Sequence, residues 1–374
     1  MIRVSRWQPA ATGRRSIDRP EHPQPRPSRT HSKTSSQSAT SLWGFTTPSY
    51  QIEGAPHDDG RAHSIRDTFC RIPGNIADGS SGNVTCGSCH PTHEDIALLK
   101  KCGARAYRFS LSWSRIIPPS DSENYARVVF NAIGPRVKYW ITFNDPWCSS
   151  ILGYSTGLFA PGKTSDRARC DEGDSGTEPW IVGHSLLVAD GTAVKAYRDD
   201  FEQKDGGQIG ITLNADRAEP WDANEEADVE ACDQKIELPF LGLGIRFALA
   251  STPDSMRKQL GKRLSEFTTE EAAFVIGSND LYGMNRYCAN YIKHKDGEAE
   301  LDDFVGNLEI LMENKAGHSI GPETQFGEID PSVEQPLEED FRCEYFRGYI
   351  SALVDAYSKD GIDVRGHMVW TIMD

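Results

Sequence analysis

Residues 137 to 148 read VKYWITFNDPWC, an apolar run that stops at Asn144, Asp145 and Pro146. Its aromatic and β-branched content is that of a buried strand. Asn, Asp and Pro are poor choices for a strand interior, so the strand ends there with a carboxylate at its C-terminal tip. Taken alone, Asp145 would cap the turn that follows, since Asp before Pro is a common turn former. What decides the fold is that the other strand candidates end in the same way.

From residue 41 onward, helical patterns alternate with short apolar runs. THEDIALLKKCG (92–103) opens with a Thr92–Asp95 capping box, carries Ile96, Leu99 and Cys102 on one face and closes at Gly103. The strand candidate ARAYRFSLSW follows it. A helix predicted over 184–201 leads into GQIGITLN (207–214), and a pattern with Phe341, Tyr345, Tyr349, Leu353 and Tyr357 at four-residue spacing leads into HMVWTIMD (367–374). Helix then strand, repeated, predicts a parallel sheet covered by helices, an α/β fold. Polar and aromatic residues collect where the strands end: Gln51 and Glu53, Trp113 and Arg115, Asn144 and Asp145, Asn285 and Tyr287, and Trp370. In a (β/α)8 TIM barrel the C-terminal strand ends form one rim, which would gather these residues around a single cavity. A doubly wound sheet would lay them along a line, and no G-x-G-x-x-G follows any strand.

The formal charge of −15 argues against a nucleic-acid or anionic-membrane partner and suits a neutral small-molecule substrate. The first 40 residues differ from the rest, with seven Arg, one Lys and two acids amid Pro and Ser clusters. Too little apolar surface is available there to offset ordering entropy, so a disordered tail over 1–40 precedes a barrel domain over 41–374. The longest apolar run, residues 238–250, is broken by Arg246 and is too short to cross a bilayer. Nine scattered cysteines, an odd number, fit reduced thiols, and with no secretion-type apolar segment the expected location is cytoplasmic. Cys86, Cys89 and His90 match C-x-x-C-H, the haem c attachment pattern, and His93 would extend it to a metal site. The pattern stands in a Gly/Ser-rich loop with no second Cys pair, so a solvated loop is the better reading and neither metal nor cofactor is expected.

TPSYQIEGA, GARAYRFSLSWSRIIP, VKYWITFNDPWC, GYSTGLFAPG, DLYGMNRYCANYI, IGPETQ and VWTIMD together resemble glycoside hydrolase family 1, the β-glucosidase type of retaining glycosidase. The resemblance runs from about residue 41 to the last, in the family's own order. It implies a substrate that is a small β-glycoside or oligosaccharide. Retaining cleavage uses two carboxyl groups about 5–5.5 Å apart, one acting as acid then base and the other as nucleophile. By the resemblance, Asp145 stands at the acid/base position, where the family has Glu. Asp is one methylene shorter, which draws the carboxyl back by roughly 1.5 Å, and about 1 Å of misplacement already costs on the order of 100-fold in rate. Gln51 matches a glycone-binding Gln, Asn144 the residue that contacts the 2-hydroxyl, and Trp370 the aromatic platform under the sugar. Arg108 and Tyr287 match residues that hold and tune the nucleophilic carboxylate.

Three pieces of the family pattern are absent. One is the third strand, expected between SRIIPPSDSE and NYARVVFNAIG, which carries a glycone-binding His. The second is the seventh strand, expected between IGPETQF and GEIDPSVEQPLEEDF, which carries the nucleophile. The third is the Glu and Trp that follow the eighth strand. Glu313 and Asn314 in LMENKAG precede IGP rather than follow it and are rejected as the nucleophile motif. About six of eight strands are therefore recognisable, and the expected chain is an impaired hydrolase, a spliced or truncated product. The alternative is a catalytically dead sugar-binding relative.

Overall fold

In the computed structural model, residues 42–58, 60–83, 85, 92–117, 122–236, 257, 260–287, 289–295, 310–311 and 340–372 are described. The 1–40 tail, Cys86, Cys89, His90, Glu313 and Asn314 lie outside them. The described residues include the strands β1 (Leu42–Thr47), β2 (Ala106–Phe109), β3 (Tyr139–Asn144), β4 (Gln208–Asn214), β5 (Arg217–Pro220), β6 (Leu281–Asn285), β7 (Ala289–His294), β8 (Ile310–Leu311) and β9 (Gly366–Trp370).

β1 pairs in parallel with β2 on one side and with β9 on the other, so the first strand is bonded to the last. That pairing is how a sheet closes on itself into a barrel. β4 pairs in parallel with β3 and with β6. The result is two three-stranded arcs, β2-β1-β9 and β3-β4-β6. Among the described residues, no strand pairing joins β2 to β3 or β6 to β9. The two seams fall where the sequence lacks its third and seventh strands, so the six strands expected are the six that form the barrel.

The seams leave a mark on burial. In β4, the central strand of its arc, the five residues Ile209–Leu213 are all buried, as a parallel strand covered on both faces should be. β3 borders a seam, and of its six residues only Trp140 is buried. The apolar run that reads as a buried strand is thus an edge strand. Behind it, the helices Ser122–Ile133 and Glu178–Asp200 pack a core of Ala126, Val129, Phe130, Trp140, Ala193, Val194, Tyr197 and Ile209, with Phe130 edge-on to Trp140 at 5.0 Å. The helix expected from residue 184 begins at Glu178, with Pro179 in its first turn, where a missing N–H costs nothing.

Two helices bury less than their sequences predict. On Thr92–Lys101 only Leu99 of the expected face is buried, with Ile96 and Cys102 exposed. On Asp340–Ser358, Tyr345, Tyr349 and Leu353 are half-buried and Tyr357 is exposed. Each flanks a strand at an arc's edge, so a complete sheet does not lie beneath it. The small sheet β5-β7-β8, with the helix Glu226–Ile236 packed on β5 and β7, was not foreseen from the sequence.

Candidate active site

Asp145 follows β3 with φ at +48°, a left-handed conformation that Asp tolerates better than most side chains. The backbone settles the turn by itself. The Asp145 N–H donates to the Thr212 carbonyl of β4 at 2.9 Å, and the Cys148 N–H donates to the Asp145 carbonyl at 2.9 Å. The carboxyl is therefore not spent on capping. Its Oδ2 accepts from Asn285 Nδ2 at 2.7 Å and from Asn144 Nδ2 at 3.3 Å. The residue is only 6% exposed, and Oδ1 is buried without a hydrogen-bond partner. Burial holds the carboxyl above the usual carboxylate range; the Asn285 bond, the Arg108 charge and Asn144 oppose that rise, and the Asp216 charge adds to it.

Arg108, in β2, reaches across the β2/β3 seam, where its Nη2 donates to Asn144 Oδ1. The same oxygen accepts from Asn285 Nδ2 at 3.0 Å. Desolvation lowers the Arg108 pKa, and the negative charges of Asp145 and Tyr287 counter it. Tyr287 lies two residues past β6, its N–H donating to Asp216 Oδ1 at 3.0 Å. Desolvation and the Asp145 charge push its phenol up to about 12.

Arg108, Asn144 and Asp145 are therefore joined directly, and Tyr287 stands near enough for the Asp145 and Arg108 charges to act on its titration. Trp370 ends β9 and Gln51 sits on the turn of helix Ser49–Ile52 that follows β1. Thr46 of β1 is in register with Arg108 on one side and Trp370 on the other, which puts both at one end of the barrel. No hydrogen bond among the described residues ties Gln51 or Trp370 to the cluster. Asn285 was visible as a strand-end residue but had no role assigned, although its amide holds both Asn144 and Asp145. Asp216 carried no signal at all: from the loop after β4 it accepts from the Tyr287 N–H, and its charge raises the Asp145 pKa.

A cleft of about 210 Å³ opens between the segments that follow β1 and β2 and is lined by Tyr50, Glu53, Arg66 and Trp113 among others. None of the five cluster residues lines it. Trp113 is stacked on Tyr125 at 4.7 Å, and Arg115 is paired with Glu53 at 3.2 Å. No cluster of three or more His, Cys, Asp or Glu that could hold a metal occurs among the described residues. No described helix is long and apolar enough to cross a membrane.

The model of glycosyl hydrolase family 1 matches residues 35–124 and 120–314. The chain belongs to that family. Among the curated relatives of this family 1 chain, β-glucosidase 1B of Phanerodontia chrysosporium is 37% identical, over 89% of this chain and 78% of the relative. Among solved structures, a family 1 β-glucosidase of the fungus Humicola insolens, in complex with glucose, is 47% identical over 89% of both chains with a TM-score of 0.83. The β-glucosidase of Trichoderma harzianum is 42% identical over 90% of this chain and 88% of that one, with a TM-score of 0.81. The fold is therefore the (β/α)8 barrel of the family, of which six barrel strands lie among the described residues. The alignment to the Phanerodontia enzyme runs over 424 positions, while 89% of 374 residues is about 333, so about 91 positions have no residue of this chain opposite them.

Proposed function

We propose that this family 1 barrel is a β-glucosidase-type glycoside hydrolase site that binds a neutral β-linked glucoside at the rim and retains one of its two catalytic carboxyl groups. The observation that carries this reading is the convergence of Arg108, Asn144, Asp145 and Asn285, from three separate strand ends, on one hydrogen-bonded cluster. Asp145 takes the acid/base role, protonating the leaving oxygen and then activating water. Its burial supports that role, because a carboxyl held toward its protonated form donates a proton more readily near neutral pH. Asn144 holds the 2-hydroxyl, the Gln51 amide bonds two sugar hydroxyls at once, and Trp370 offers its apolar face to the sugar ring. Arg108 and Tyr287 are the groups that would tune a nucleophilic carboxylate. Because no residue is assigned as that nucleophile, turnover is strongly impaired. The free thiols of Cys70, Cys148 and Cys170 support a reducing, cytoplasmic setting.

Turnover of a chromogenic β-glucoside tests the reading. Slow release that is lost in Asp145→Ala supports it, and release unaffected by that substitution contradicts it. A second reading, a sugar-binding protein that breaks no bond, is favoured by one observation: among the described residues, Arg108 is bonded to an amide and to no carboxylate. Saturable glucose binding with no measurable turnover would select it.

A further inference from the structure

We propose that the cleft between the segments that follow β1 and β2 is a binding site for a one-ring aromatic carboxylate of the benzoate class. Its walls are bonded to one another at several points. The Ser49 N–H donates to Ser110 Oγ at 2.8 Å, and the Ala62 N–H donates to the Ser114 carbonyl at 2.9 Å. Arg115 adds bonds to the Gly54 and Ala55 carbonyls at 3.2 and 3.1 Å. A cleft already formed spares its ligand the cost of ordering two loops. Its volume of about 210 Å³ lies below the roughly 300–1,000 Å³ of drug-sized sites, which limits the occupant to about one ring.

Two aromatic rings and one cation set the chemistry of the lining. Trp113 has one face on Tyr125 yet is 36% exposed, so part of the indole remains for a ligand in the cleft. The Tyr50 ring is fixed at its far end, where its hydroxyl donates to Cys70 Sγ at 3.3 Å and accepts from the Gly82 N–H at 3.3 Å. Such surfaces suit a flat apolar body. Of the charged residues that line the cleft, Glu53 is paired with Arg115 and Arg61 with Asp67. Among the described residues no acid pairs with Arg66, whose guanidinium stands 5.7 Å from the centre of the Tyr50 ring. The lining therefore carries one uncompensated positive charge beside its aromatic surface. That combination selects a planar monoanion, and the guanidinium fork matches the two oxygens of a carboxylate. Neither Arg108, Asn144 nor Asp145 lines the cleft, so this site stands or falls separately from glucoside binding.

The test is isothermal titration of the full, sugar-free chain with sodium benzoate, run in parallel with benzyl alcohol and with cyclohexanecarboxylate. Benzyl alcohol keeps the ring without the charge, and cyclohexanecarboxylate keeps the charge without the flat face. The expected result is saturable benzoate binding that weakens as salt is raised, because Arg66 is exposed and screened. Benzoate should bind at least about tenfold more tightly than benzyl alcohol, and Arg66→Gln should lose at least about tenfold of the benzoate affinity. Cyclohexanecarboxylate should bind several-fold more weakly than benzoate. The ligand series needs only the wild type, so it decides the matter even if Arg66→Gln fails to fold. Absence of saturable benzoate binding, equal affinity for either comparison ligand, or full affinity in a folded Arg66→Gln overturns the proposal.

Discussion

Asp145 and Asp190 are two buried acids held in different ways, and each sets a different observable. Asp145 depends on Asn285, whose amide is its shortest hydrogen bond and the largest influence lowering its pKa. Removing that donor in Asn285→Ala costs the charged form on the order of 1.5–3 kcal/mol, the range for a hydrogen bond to a charged group. The Asp145 carboxyl should then titrate at higher pH, as read by 13C NMR of the side-chain carboxyl; an unchanged or lower midpoint would show that the bond does not stabilise the carboxylate. Asp190, fully buried in the helix Glu178–Asp200, accepts from Thr142, from Asn279 at 2.9 Å and from Ser278 at 3.4 Å. Burial outweighs those donors and raises its pKa to about 6. A folded-state pKa above the unfolded value favours the protonated fold, so this group's contribution is fully present below the unfolded pKa and is lost as pH rises through about 6. Relative to Asp190→Asn, the wild type should gain stability between pH 7 and pH 4, by at most about 1.4 kcal/mol for each pH unit traversed. Denaturant unfolding of both proteins across that range checks it, and parallel pH profiles would contradict it.

Among the elements, the helix Glu178–Asp200 is the one on which the barrel's second arc leans. Gly191 faces the helix Thr269–Val275 so closely that a Cβ there would lie 2.6 Å from the Phe274 carbonyl oxygen. Backbone cannot give way as a side chain does, so Gly191→Val should cost about 1–3 kcal/mol through helix displacement, measured as a lowered denaturation midpoint. A midpoint within error of wild type would mean that the two helices are not held in contact. These packing relations were only partly readable beforehand. The pattern of the apolar residues placed β2, β3, β4 and β9 and the helices that precede β2, β4 and β9, because a strand or helix stripe is written locally. Polar strand ends likewise pointed to Asn144, Asp145 and Tyr287. Which side of β3 would lack a neighbour depended on a strand missing from elsewhere in the sequence, so its five poorly buried residues were invisible to local pattern. Asn285 and Asp216 acquire their roles only through contacts across the barrel.

At the scale of the whole molecule, the barrel's sheet is interrupted twice among the described residues. Strand edges left open are templates for pairing with other chains. β2 and β9, which border the two seams from one arc, carry Phe109 at 50% exposure and Trp370 at 39%. The chain should therefore associate at high concentration, and Phe109→Lys, which places a charge on the β2 edge, should reduce light scattering without altering the circular dichroism spectrum. Scattering unchanged by that substitution would mean that this seam is not where chains meet. The two arcs still bring Gln51, Arg108, Asn144, Asp145 and Trp370 to one end, and the central claim is that this end cradles a glucose ring. Isothermal titration with glucose tests that claim most directly: the account predicts saturable binding that weakens at least about tenfold when the side chains proposed to bond the sugar are truncated in Gln51→Ala and in Asn144→Ala. Absence of binding, or binding that both variants retain in full, would contradict it.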